Sequence, residues 1–273
     1  MSAADTVLLR LTPDGSPTWM RAVQGAGAQR GKSLAVAPDG SVAFGGDTVG
    51  ALVLSGTPVA TPPTGGGRDA WLSRWSPTGA LQWATTWGGP GDDLAKGVVD
   101  DGQSVTSVGP FKGTITLGAI TLGATTLDAG TANDLVLVQR SAAGVVRWAT
   151  SVSAPTAVLG AEMIAASDGG LLFGSTAVAG LRFGSTGGGS IALNASDGAT
   201  AWLAHYRPDG SPDFARTIAG TVFGNTGKIA RVGHRVYVDI TLRGPGNTVN
   251  GTPLTVVEKD GSVWALDLAP TVP

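Results

Sequence analysis

Cysteine is absent from the 273 residues, which excludes disulfides and thiolate chemistry and leaves the redox compartment open. Histidine, tyrosine and glutamate each occur only twice, so there are few ways to pair a nucleophile with a general base. Charge is scarce as well. Eighteen basic residues face 20 acidic ones, and a net charge of −2 gives no long-range field to steer nucleic acid or an anionic membrane. No apolar run approaches eighteen residues, and the opening MSAADTVLLR has neither a basic leader nor a long apolar stretch. The sequence therefore reads as having no membrane span and no signal peptide. Helical periodicity is missing throughout. What is plentiful is glycine, 43 residues, and proline, 16, spread along the chain beside Asp, Thr and Asn. That distribution predicts many tight turns between short strands, and a hydrophobic content of 42% suffices for a packed core.

The segment TPDGSPTW at Thr12 to Trp19 returns as SPTGALQW at Ser76, SAAGVVRW at Ser141 and RPDGSPDF at Arg207. The closing aromatics Trp19, Trp83, Trp148 and Phe214 are spaced 64, 65 and 66 residues apart. Ahead of each copy lies an alternating strand: DTVLLRL at Asp5, DAWLSRW at Asp69, DLVLVQR at Asp134 and TAWLAHY at Thr200, with a fifth, SVWALDL, at Ser262. Period two with β-branched and aromatic residues predicts strands, and the glycine-containing turn predicts a hairpin. A small-residue strand ending in an acidic turn supplies the other half of each unit: KSLAVAPDG at Lys32, AKGVVDDG at Ala95, EMIAASDG at Glu162 and the divergent KIARVGHRVYVDI at Lys228. The expectation is an all-β chain, a β-propeller of about four blades with five left open, built from repeats of about 65 residues. One domain spans 1–273, with repeats near 5–68, 69–133, 134–199 and 200–261 and a terminal closing strand at 262–268. The first-type strand occurs once more than its partners, so ring closure is left open.

In such blades one face carries only tight turns. The other receives the inter-blade loops near 24–31, 88–93, 154–160 and 220–227 and the long segments near 47–68, 110–133, 176–199 and 242–261. Loops on a rigid scaffold carry most binding sites, so this loop-rich face is the candidate. Its long segments read as extra hairpin arms. Their apolar residues Leu54, Ile120 and Leu193 are candidate contacts for a protein partner, the alternative being that the arms pad the blade flanks. Arg30, Asp92 and Asp93 lie in the inter-blade loops of the same face. The two aspartates lack the alternating oxygen ligands of a calcium loop, so no metal is expected there. Trp75 and Trp87 fall outside the columns shared by the other tryptophans and are candidates for stacking on a glycan. Lys32, Lys96, Glu162 and Lys228 begin the innermost strands and would ring a channel mouth.

The units resemble the bacterial β-propeller repeats of the SBBP or Delta-60 type. Trp71, Gly79, Trp83 and the stretch GGPGDD at Gly88 to Asp93 carry the match, although only the second unit has that loop. A more distant similarity to PQQ-like propellers lies in DGSVWALD at Asp260 to Asp267, without the cysteine pair that would cover a quinone. Both resemblances imply a propeller. The first also implies an exported or surface protein of bacteria.

Enzyme readings find little support in the residues. TPDGSPTW has the serine, aspartate, glycine and tryptophan of a sialidase Asp-box, but its glycine comes one place early, and Thr78 and Ala143 stand where Asp14 and Asp209 do. No G-x-S-x-G is present, and His205 and His234 occupy unrelated repeat positions. The expected function is a non-enzymatic scaffold or binding protein, without cofactor, whose loop-rich face meets a protein partner or, as the alternative, a glycan.

Overall fold

The computed structural model describes residues 5–60, 67–117, 120–122, 126–156, 158–177, 180–193, 200–217, 225–232, 235–243, 247–249, 252–254 and 259–267. None of these residues is helical, and strands account for most of them. In chain order, β1 (Thr6–Leu11) and β2 (Pro17–Gly25) form a hairpin, followed by β3 (Gln29–Val36) and β4 (Val42–Thr48). A short arm, β5 (Leu52–Leu54) and β6 (Thr57–Val59), precedes β7 (Asp69–Trp75) and β8 (Leu81–Trp87). The second unit holds β9 (Gly97–Asp100), β10 (Ser104–Thr116), β11 (Ile120–Leu122), β12 (Thr126–Ser141) and β13 (Val146–Ser153). The third holds β14 (Leu159–Ala165), β15 (Leu171–Ala177), the arm β16 (Leu181–Ser185) and β17 (Gly189–Leu193), then β18 (Thr200–Tyr206) and β19 (Pro212–Thr217). The last holds β20 (Asn225–Val232), β21 (Arg235–Arg243), the arm β22 (Asn247–Val249) and β23 (Thr252–Leu254), and β24 (Lys259–Asp267).

Three four-stranded antiparallel meanders result: β3-β4-β7-β8, β9-β10-β12-β13 and β14-β15-β18-β19. A half-unit, β1-β2, precedes them and a three-stranded sheet, β20-β21-β24, follows. The innermost strands β3, β9, β14 and β20 lie side by side in that order. Strand pairing closes no barrel among the described residues. β24 takes the third-strand place beside β21, while β1 pairs with β2 alone. The surplus strand noted in the sequence is thus β1, whose second edge pairs with no strand among the described residues.

The sheets stack face to face because side chains alternate. Phe44, Trp71 and Trp75 turn back onto Leu8 and Val23 of the half-unit. Ala43, Ala70 and Leu72 turn forward onto Val98, Val105, Val136 and Val138 of the second unit. Leu135 and Leu137 of that unit meet Phe173, Trp202 and Tyr206 of the third. A sheet covered on both faces reads as a continuous buried run, which is why every residue of β4 and β7 is buried.

The recurring octapeptide makes the joint between successive units. In each hairpin the aromatic sits opposite the same strand position, Arg10 facing Trp19, Arg74 facing Trp83, Gln139 facing Trp148 and His205 facing Phe214. The indole Nε1–H then donates to a carbonyl in the next unit's turn: Trp19 to Pro77 at 3.0 Å, Trp83 to Ala142 at 2.9 Å and Trp148 to Pro208 at 2.9 Å. Arg10 and Arg21 add donors to the Pro77 and Gly79 carbonyls. Each receiving turn carries a glycine with positive φ, Gly79, Gly144 or Gly210, on which a Cβ would stand 2.9, 2.8 or 2.7 Å from the indole of the preceding unit. Glycine is therefore required twice over, for the left-handed backbone and for the approach of the ring.

The arms differ from the expected cup. β5 pairs with the outer strand β2, and Leu52 and Leu54 join the core with Val23 and Trp71. β16 pairs with the outer strand β13 at Val152 and Ser153, and β11 runs parallel to that strand at Val146 and Trp148. Arms thus cover outer sheet edges that would otherwise expose unpaired backbone groups. β22 and β23 pair with one another.

Gly144→Ala and Gly15→Ala separate the two demands on the turn glycine. Both residues have positive φ, but nothing lies within 4 Å of a Cβ at Gly15. Urea denaturation should show both variants destabilised, with Gly144→Ala worse by about 1–3 kcal/mol, the usual cost of overpacking.

Candidate functional site

At the loop-rich end of the junction between the first and second units, one carboxylate is surrounded by three cations. Asp47 sits near the end of β4, directly opposite Arg30 of β3. It is 1% exposed, and neither oxygen accepts a hydrogen bond among the described residues. Lys32 Nζ lies 3.6 Å away, Arg30 Nη1 3.9 Å and Arg68 Nε 4.0 Å. These three side chains keep 34–41% of their surface in water. A buried carboxylate without hydrogen bonds is costly, and the cations supply its compensation. The local fold fixes the group from behind, since Trp71 Nε1 donates to the Asp47 carbonyl at 3.1 Å.

The GGPGDD loop caps this junction and is held by its own second aspartate. Asp93 is fully buried and accepts from the Gly89 amide at 2.8 Å and the Lys112 amide at 3.3 Å. Its amide donates to the Arg68 carbonyl at 2.7 Å, and the Arg68 amide donates to Asp92 at 3.0 Å. Asp93 is thus a clamp for the loop, while Asp92 stays exposed on the rim. Among the described residues no cluster of His, Asp and Glu has the makings of a metal site.

Burial raises the pKa of Asp93 to about 7, with Asp69 and Asp92 adding repulsion. Burial alone raises Asp69 to about 6, and Asp134, in the same repeat column, is raised to about 6 for the same reason. On the tight-turn face, Arg74 forms a buried ion pair with Asp100 at 2.8 Å and donates to Gln82 at 3.0 Å. His205 of the third unit stands in the same repeat column, between Asp168 and Asp213 at 3.3 and 3.2 Å.

Several expected site residues lie elsewhere than on a binding face. Trp75 and Trp87 are buried, Trp75 donating to Ser73 at 2.9 Å, so neither offers a platform to a sugar. The repeat held a signal for this: Trp75 aligns with Leu11, Arg140 and Tyr206, and Trp87 with Val23 and Val152, columns of large or apolar residues. Leu54 is core rather than contact surface, because its arm packs on the half-unit. Leu193 is half-buried and packs against the core between the second and third units. Ile120 pairs with Val146 through its backbone, but its side chain lies outside the described residues. Arg30 and Lys32 converge on Asp47, whereas Lys96 is separate and exposed. Glu162 is half-buried in β14, and the side chain of Lys228 lies outside the described residues. Sequence reasoning missed Asp47 itself, although it is the single acidic residue in SVAFGGDT and aligns with Pro110 and Thr176.

A second surface lies on the half-unit. Val7, Leu9 and Leu11 of β1 are 51, 47 and 49% exposed, yet their repeat equivalents Trp71, Ser73 and Trp75 are buried, as are Val136, Val138 and Arg140. Met20 of β2 and Leu34 and Val36 of β3 are exposed beside them.

The raised carboxyls set a pH dependence. Each binds its proton more tightly folded than unfolded, so its contribution to stability is full below about pH 4 and is lost as pH rises through about 6 for Asp69 and about 7 for Asp93. Denaturation at pH 4.5 to 8 should show stability falling across this window, and Asp69→Asn should flatten the part below pH 6.5. A stability that rises over the same range would contradict the assignment.

No protein-family model matches the chain, and no curated protein matches it.

Proposed function

We propose that the chain is a non-catalytic scaffold of the β-propeller kind that binds a protein partner, and that the partner adds a strand to the free edge of β1. The observation that carries this reading is the exposure of Val7, Leu9 and Leu11 in columns that are buried in the following units. Strand addition combines backbone hydrogen bonds along an open edge with alternate side chains laid on an apolar face. Such a partner would cover Leu34 and Val36 as well, since they border the same edge. This moves the binding surface from the loop-rich face to the half-unit. A glycan reading loses its two aromatic candidates, Trp75 and Trp87, to the core. The resemblance to SBBP-type repeats supports the propeller assignment and a place on the bacterial surface or outside the cell.

The test uses Leu9→Lys and, as a control, Val145→Lys, an exposed apolar position away from the half-unit. Both variants should melt within about 1 kcal/mol of the parent, as surface substitutions do. Affinity capture from a bacterial envelope extract should retain the partner with Val145→Lys and lose it with Leu9→Lys, and amide exchange over Thr6–Leu11 should slow in the captured complex. Undiminished capture by Leu9→Lys would remove β1 as the docking edge.

A further inference from the structure

The charged cluster at Asp47 has a use that strand addition at β1 does not touch. Three cationic side chains share one buried carboxylate, so these four groups together carry a net positive charge, while the exposed carboxylate of Asp92 sits on the rim and accepts from the Arg68 amide. The side chains of Arg30, Lys32 and Arg68 donate no hydrogen bond to an acceptor among the described residues. Their forked and three-way donors therefore remain available while their positions are held from below. In a protein with so few charges, three cations are more than one carboxylate needs for its compensation.

We propose that Arg30, Lys32 and Arg68 form a binding site for a phosphoryl oxyanion, free or as a monoester, with Asp47 as the positioning residue beneath them. Two guanidinium groups present parallel N–H pairs that match the spacing of phosphate oxygens, and the ammonium supplies a point charge between the strands. Asp47 is sealed from water, so it holds the three heads close to one another without touching the ligand. Its carboxylate also opposes the anion, which keeps the affinity moderate. The sequence reading places Arg30 on the loop-rich face and Lys32 at the start of an innermost strand, and Arg68 and Asp47 complete the site. The carboxylate does not recur in the second and third units, whose strands carry Pro110 and Thr176 where Asp47 stands.

Inorganic phosphate and glycerol 1-phosphate, each titrated against sodium chloride at matched ionic strength, separate a free from an esterified ligand. Saturable thermal stabilisation by phosphate and not by chloride is expected, growing with ligand excess over the dissociation constant. Arg30→Gln with Arg68→Gln should weaken binding at least tenfold. Asp47→Ala frees the three heads and should weaken binding several-fold despite the opposing charge it removes, and Asp47→Glu should recover part of the loss. A readout that needs no variant is acetylation by acetic anhydride, in which phosphate should shield Lys32 and leave the exposed Lys96 reactive. Stabilisation that tracks ionic strength alone, binding by Asp47→Ala as tight as the parent's or tighter, or equal labelling of both lysines with and without phosphate would overturn the proposal.

Discussion

An indole hydrogen-bonded to the turn of the following repeat is the contact from which the arrangement is built. Trp19, Trp83 and Trp148 each reach across a sheet boundary to a carbonyl 58 to 60 residues further on, and each ring lies over a turn glycine. The bond itself is worth only about 1 kcal/mol net. Its consequence is larger, because it fixes the register between neighbouring sheets and brings the alternate side chains of one onto those of the next. With that register set, Phe44, Trp71 and Trp75 face backwards, and Ala43, Ala70 and Leu72 face forwards. The length of the repeat follows from the same joint, since any insertion has to leave the indole and its target turn in place. The insertions accordingly go into the arms.

The repetition is not uniform across the described residues. The half-unit β1-β2 gives its forward face to Phe44 and Trp71 and leaves its other face to solvent. Gly15, the glycine of its turn, has no indole above it, whereas the three later turn glycines do. In the third unit Phe214 replaces tryptophan and lies against His205, with ring centroids 5.7 Å apart, so the donor is lost while the ring is kept. Both candidate binding surfaces lie where the repetition breaks. The open face of β1 and Asp47, where the second and third units carry the neutral Pro110 and Thr176, are departures from the repeat, and they differ in chemistry: one is an apolar strand edge, the other a cluster of cations over a buried carboxylate.

Much of the frame was legible because the constraint is local in sequence. A glycine and an aromatic at fixed spacing after an alternating strand specify the hairpin, and four copies specify the spacing of the sheets. The fate of the arms was not legible, since GTITLGAITLGATTL is equally compatible with a free hairpin and with one laid along β13. Edge pairing is decided by which neighbouring strand has an unpaired side, and that is a property of the assembled sheets. Trp75 and Trp87 show a related lesson. Sequence comparison by residue identity set them apart, while comparison by size and polarity groups them with Leu11, Tyr206, Val23 and Val152, which describes where they lie. Asp47 needed the third dimension, because Arg30, Lys32 and Arg68 come together only through the pairing of β3 with β4 and the turn of the chain into β7.

Hydrogen exchange at the indole Nε1 positions, followed by NMR on protein labelled with 15N-tryptophan, tests the joint most directly. The signals of Trp19, Trp83 and Trp148 should exchange slowly despite the partial exposure of Trp19 and Trp83, because each proton is held by a carbonyl of the next unit. Exchange at the rate of a free indole for these three would mean that the repeats are not locked in this way.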